Sequence, residues 1–166
     1  MRKQTWLAPV LFVCAAPLLL AQQPPILKLP GAPDKPLDPA SLLGTSQRDV
    51  RIEDSAGNTT VYHGMALLDV LERGGLDLKT MNGQRASAAQ VVLASGRDGY
   101  TVVFSVGELT ANRANPRVFL VAESSEGELH PNEGPVRLIV YGDKARSAYA
   151  LAKIELKALA ENKPVR

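Results

Sequence analysis

Three groups of residues in this chain have the types and spacing for chemistry. The first is His63, inside "TTVYHGMALLDVLERGG" at residues 59–75, where a strand breaks into a short helix. An unperturbed imidazole titrates near physiological pH, so His63 is a candidate acid, base or ligand contact. The plainer reading, preferred here, has it closing a strand before Gly64. The chain's other histidine, His130, lies in a distant polar loop. Two histidines fall short of the three protein ligands a catalytic zinc normally takes, so no metal site is assigned.

The second group is "GRDGY" at residues 96–100. Arg97 and Tyr100 could reach an anionic ligand from a hairpin tip, since loops at sheet ends commonly carry function. The alternative is turn chemistry, with Asp98-Gly99 making the reversal and Tyr100 entering the core. The third group is basic: Arg137 in "PVRLIVY", followed by Lys144 and Arg146 in "GDKARS". An arginine within an apolar strand is costly unless it is paired or faces a ligand. With Lys144 and Arg146 it could form a pocket for phosphate or another oxyanion, arginine supplying forked donors. A structural pair with Glu108, Glu123 or Asp143 is the competing expectation. No glycine loop with lysine, Cys/His cluster or Gly-x-Ser-x-Gly elbow occurs, so no catalytic residue is assigned.

The elements that must position these groups are mostly strands. "RDVRIED" alternates Val50 and Ile52 against charged residues, and "SAGN" returns it into "TTVYH" as a solvent-faced hairpin. "AAQVVLAS" and "YTVVFS", joined by "GRDG", predict a central antiparallel pair, and "RVFLVAE" and "VRLIVY" a second pair around a polar loop. Helices are short: "MALLDVLER", stopped by Gly74-Gly75 and carrying an Asp69–Arg73 pair one turn apart, and a turn at "SVGEL". "DPASLLG" predicts one turn capped by Asp38, with Pro39 at its first position. For "KARSAYALAKIELKALAENK" propensity favours helix, while "AKIELKAL" also alternates like a strand. The fold class expected is α+β, with mixed, mostly antiparallel sheets.

Residues 1–21 have the build of an export signal: Arg2 and Lys3, an apolar run from Trp6 to Leu20, then Ala21. Pro9 and Pro17 interrupt that run, which is shorter than the ~20 residues of a membrane span. Cleavage there predicts a periplasmic or secreted chain with no membrane partner. It would remove the only cysteine and two of nineteen basic residues, leaving the basic residues equal in number to the seventeen acidic ones. A neutral mature chain gives no support to nucleic acid as a partner. Residues 22–39, rich in proline, predict an extended tether; 40–160 form one domain, and 161–166 a tail.

These segments, in this order from Leu37 to Leu159, resemble the oxidoreductase molybdopterin-binding domain, with its sulfite-oxidase-type fold. "VRIEDSAGNTTVYHGMALLDVLERGG" is similar to the family's strand, loop and "L-x-D-x-L" helix. "SGRDGYTVVFSVGEL" matches its "DGY…L-x-E" block, and "EGPVRLIVYGDKARSA" its "GP-x-R-L-x-V-P" strand and basic loop. The resemblance implies a closing strand from Ala152 to Leu159 in place of the locally favoured helix. It also implies molybdopterin against the loop with Lys144 and Arg146, which would meet its phosphate, and Arg137 nearby; Arg97, Tyr100 and His63 complete the candidate contacts. The family holds molybdenum through a cysteine in the loop after the early strand. Here that loop reads "RIEDSAGNTT", without sulfur, and the family's proline is Tyr141. The implied function is a binding or accessory module, for an anionic ligand or a redox partner protein. The alternative is a minimal molybdopterin-dependent oxidoreductase with a non-cysteine or partner-completed metal site. Whether the chain is an enzyme stays open at this point, as does a plain scaffold whose pocket has closed.

Overall fold

The computed structural model describes residues 23–44, 46–79 and 89–159. The expected export signal at 1–21 and the expected tail at 161–166 lie outside these residues. The architecture is α+β, two sheets with short helices. One sheet runs β2 (Lys35–Pro36), β1 (Ile26–Lys28), β10 (Leu151–Ala158), β5 (Gln90–Gly96), β6 (Thr101–Ser105). The other runs β3 (Arg48–Glu53), β4 (Thr59–Ala66), β7 (Val118–Ser124), β8 (Gly127–Glu128), and β9 (Arg137–Val140) also pairs with β7. All strand pairs are antiparallel except β1 with β10.

The main core fills with residues that alternate inward: Val92 and Ala94 on β5, Phe104 on β6, Ile154 on β10, Leu120 on β7 and Leu138 on β9. Helix α1 (Leu67–Gly74) closes it with Leu67, Leu68, Val70 and Leu71 buried. Its start has no side-chain cap, so burial of this apolar face is what holds it. Gly75 ends it at φ 117, a left-handed conformation glycine adopts without penalty, and its N–H bonds the carbonyls of Leu71 and Glu72. The helix starts two residues later than "MALLDVLER" suggests, because Met65 and Ala66 continue β4 against β7. Asp69 and Arg73 form no pair; Arg73 donates to Ser46 Oγ at 2.8 Å. Helix α2 (Val106–Ala111) is capped by Ser105, which accepts from the Glu108 N–H.

Because neighbouring residues of a strand face opposite ways, the second sheet buries a separate, smaller cluster on its other side. Ala66, Phe119 and Ile139 share that face, with Val50, Val121 and Leu129, while Met65, Leu120 and Leu138 face the main core. Gly64 is required at the β4–β7 crossing: a Cβ there would overlap the Leu120 carbonyl. This close approach carries Tyr62 onto the same face as Val50 and Arg137, through the register Val50–Tyr62 and Val121–Arg137.

One strand assignment differs from expectation, and one follows the family resemblance against local propensity. The β5–β6 hairpin is not central, since β10 lies between β5 and β1 and leaves β6 at an edge. The C-terminal segment is a strand, Leu151–Ala158, as the family resemblance implies and local propensity does not; the ladders to β5 and β1, with Leu151, Ile154 and Leu156 buried, override propensity. The proline-rich segment is extended but docked. Its prolines flank Ile26–Lys28, whose backbone pairs with β10, and Pro36 sits on the edge strand β2, where a missing N–H costs least. Leu27 is 3% exposed in the core, so the folded unit begins well before residue 40.

Candidate functional site

On the outer face of the second sheet lies an open basin of about 840 Å³, floored by Ile139 and Ile52 and walled by Tyr62, Tyr141 and Tyr149. Arg137 enters it from β9. The arginine is 8% exposed, and Nη1 donates to Tyr62 Oη at 2.8 Å and to Glu133 Oε1 at 3.1 Å. Its guanidinium carbon lies 4.2 Å from the Tyr149 ring centroid and 5.0 Å from that of Tyr62. Two ring faces, a carboxylate and a phenol therefore offset its desolvation. Nε is buried and makes no hydrogen bond with a described residue. The fork is thus only half used by the protein.

Tyr62 accepts from Arg137, which leaves its own hydroxyl proton for another acceptor. Burial pushes its pKa above the usual tyrosine value, against the pull of the Arg137 charge. Lys144, the first residue of a 3₁₀ turn at Lys144–Arg146, borders the basin, exposed, and its ammonium makes no hydrogen bond or ion pair with a described residue.

The basic loop does not act as one cluster. Arg146 turns away from the basin and forks onto Glu108, Nη1 to Oε1 at 2.9 Å and Nη2 to Oε2 at 3.3 Å. Its Nη2 also donates to the Val103 carbonyl at 2.9 Å, and the guanidinium carbon lies 4.4 Å from the Phe104 ring centroid. Hydrogen bonding to Glu108 raises its pKa further. Arg146 borders a second, smaller cleft of about 130 Å³ between the helices and β9. Expected as a phosphate contact, it is a bolt between the loop and the edge strand β6.

The remaining candidates are also structural in their contacts. Tyr100 is 46% exposed and does not enter the core; its hydroxyl donates to the Ala145 carbonyl, a second tie on the same loop. Asp98 makes the turn as expected, accepting from the Tyr100 N–H at 2.9 Å. Arg97 donates to the Gln23 carbonyl at 2.7 Å, pinning the N-terminal segment. His63 Nδ1 lies 3.0 Å from Asp49 Oδ1, its cross-strand neighbour, away from the basin. His130 is exposed, and its Nδ1 accepts from the Asn132 N–H at 3.3 Å. No group of three His, Cys, Asp or Glu suited to a metal occurs among the described residues.

No protein-family model matches the chain, and no curated protein matches it. Function must be argued from the basin itself.

Arg137 and Lys144, named from sequence, both border the basin, but sequence reading missed the partners that define Arg137: Glu133, Tyr62 and Tyr149. Glu133 was legible as the acid four residues before Arg137. The tyrosines carried no local signal, because β4 and the segment before β10 meet Arg137 only through tertiary structure. The acids proposed for Arg137 lie elsewhere: Glu108 is taken by Arg146, Glu123 faces His63 and Glu128 across β4 and β8, and Asp143 caps the 3₁₀ turn by accepting from the Arg146 N–H.

Proposed function

We propose that this chain is an exported, non-catalytic binding module that takes an anionic ligand in the basin of Arg137 and Lys144. The observation that carries the reading is the half-used fork of Arg137. A nine-tenths-buried guanidinium with an unpartnered Nε, bordering the same basin as a lysine unpaired among the described residues, is an electrostatic arrangement suited to an incoming oxyanion.

The likeness to the molybdopterin-binding domain supports a position for this site. Asp54, in the loop where that family carries its thiolate, borders the same basin as Lys144 in the basic loop. The residues present do not fit the family's cofactor. Asp54 would have to replace the cysteine, yet Oδ1 accepts from the Ala56 and Asn58 N–H groups at 2.8 and 2.9 Å, and Oδ2 accepts from the Asn58 amide at 3.0 Å. These bonds hold its pKa below the usual aspartate value and commit both oxygens to the turn. A hard carboxylate so engaged is no substitute for a soft thiolate. Arg146, the expected phosphate contact, is spent on Glu108.

The test is a ¹H–¹⁵N chemical-shift titration of the purified chain with sodium sulfate at constant ionic strength. Saturable shifts at Lys144 and Arg137, weakened about tenfold in Lys144→Gln, are expected for loss of one charge-assisted contact. Absence of saturable shifts there rejects the reading. Stoichiometric molybdenum in protein from a host that makes the cofactor would reject the non-catalytic part of it.

A further inference from the structure

We infer that the basin's ligand is an acidic sugar, a pyranose ring carrying one carboxylate. The inference rests on the anion-binding reading and narrows it. Its first support is charge balance. Arg51, Arg137 and Lys144 border the basin, and so do Glu53, Asp54 and Glu133. A polyanion would bring several negative charges toward three carboxylates and be repelled by them. A single carboxylate engages Arg137 and Lys144 and leaves the acids to accept hydrogen bonds. Asp54 is committed to its turn, but Glu133 gives only one oxygen to Arg137, and Glu53 is exposed. Ligand hydroxyls are neutral donors suited to these oxygens.

The second support is the tyrosine rim. Three of the chain's four tyrosines border this one basin, and Tyr141 and Tyr149 remain 54% and 52% exposed there. Tyrosine offers a flat apolar face with a polar tip. A pyranose matches it, with C–H groups on one face and hydroxyls around the edge. The third support is the built donor pair at the basin wall: the Arg137 fork and the uncommitted proton of Tyr62 both suit a carboxylate, which accepts at two oxygens. A ring bearing only a carboxylate would satisfy the cations and leave the acids and the Thr59 and Thr60 hydroxyls unmatched. The basin's volume is within the range of sites for ligands of this kind.

The experiment compares D-galacturonate, D-galactose, benzoate and sulfate in chemical-shift titrations of the purified chain at constant ionic strength. Galacturonate is expected to bind at the basin about tenfold more tightly than each of the other three, galactose lacking the carboxylate, benzoate the hydroxyls and sulfate the ring. Lys144→Gln and Tyr141→Ala, both at exposed positions that do not threaten the fold, are each expected to weaken galacturonate by about tenfold. Galactose binding as tightly as galacturonate overturns the inference, because the carboxylate would then be idle. Benzoate or sulfate binding as tightly also overturns it, while leaving anion binding in place. If none of the anions binds at the basin, the inference and the broader reading fall together.

Discussion

The Arg137–Glu133 pair offers a quantitative test of how the basin is built. Replacing Arg137 with Met keeps an apolar stem but removes the hydrogen bonds to Tyr62 and Glu133 and both ring contacts. Stranding one member of a buried ion pair typically costs about 3–5 kcal/mol. Here the stranded carboxylate has a side chain 26% exposed and partly rehydrates, so the lower end, about 3 kcal/mol, is expected. Glu133→Gln keeps an acceptor for Nη1 but leaves a cation only 10% exposed without its counter-charge, for about 2 kcal/mol. Once Arg137 is gone, neutralising Glu133 should cost little, because the carboxylate no longer has a partner to lose. The double variant should therefore sit near the Arg137→Met value, giving a coupling of about 1–3 kcal/mol. Urea unfolding of the four proteins measures it, and a stability of about 5–15 kcal/mol leaves the variants folded enough to compare. Additive losses, with a coupling under about 0.5 kcal/mol, would refute the pair as the element that holds Arg137 in the basin.

Two further predictions concern the frame and the wall of the site. Leu27→Ala should destabilise the domain by about 2 kcal/mol, the low end for a buried leucine because a three-residue strand next to the sheet's edge can relax; a change within about 0.5 kcal/mol in urea unfolding would return the segment to the status of a tether. Tyr62, whose pKa is raised in the folded state, keeps its proton to higher pH than in the unfolded chain, where tyrosine titrates near ~10. Above that pH the native state binds more protons than the unfolded one, so stability falls as pH rises. Tyr62→Phe should lack this loss, and parallel alkaline stability curves for the two proteins would contradict the assignment.

The strands were legible wherever one face is wet and the other dry. "RDVRIED" and "TTVYH" could be paired from alternation and the "SAGN" turn alone, and Asp38 and Gly75 marked helix ends by chemistry that needs no tertiary partner. The failures have one physical origin. For β1 and β10 local preference and tertiary pairing disagree: prolines conceal a three-residue strand in one, and good helix formers conceal an eight-residue strand in the other. Each is stabilised by its neighbours in the sheet. The placement of β10 between β5 and β1, which pushes β6 to the edge, likewise depends on contacts between segments distant in the chain, such as Leu151 with Gly96 and Lys153 with Ile26.

The candidate site shows the same limit at the level of single side chains. Lys144 and Arg146 are two residues apart in one basic loop, and sequence spacing treats them as equivalent. A tight 3₁₀ turn sends them to different cavities, because residues two apart in such a turn point in different directions around it. What then decides their roles is the partner each meets. Arg146 finds a forked carboxylate, a carbonyl of edge strand β6 and the ring of Phe104, so its charge is satisfied by protein, and the edge carbonyl is covered. Lys144 meets no counter-charge among the described residues and faces the tyrosine-walled basin. The Arg146 bolt and the Tyr100 hydrogen bond to Ala145 fix the loop directly after Lys144, so two residues first read as ligand contacts help to set the position of a third.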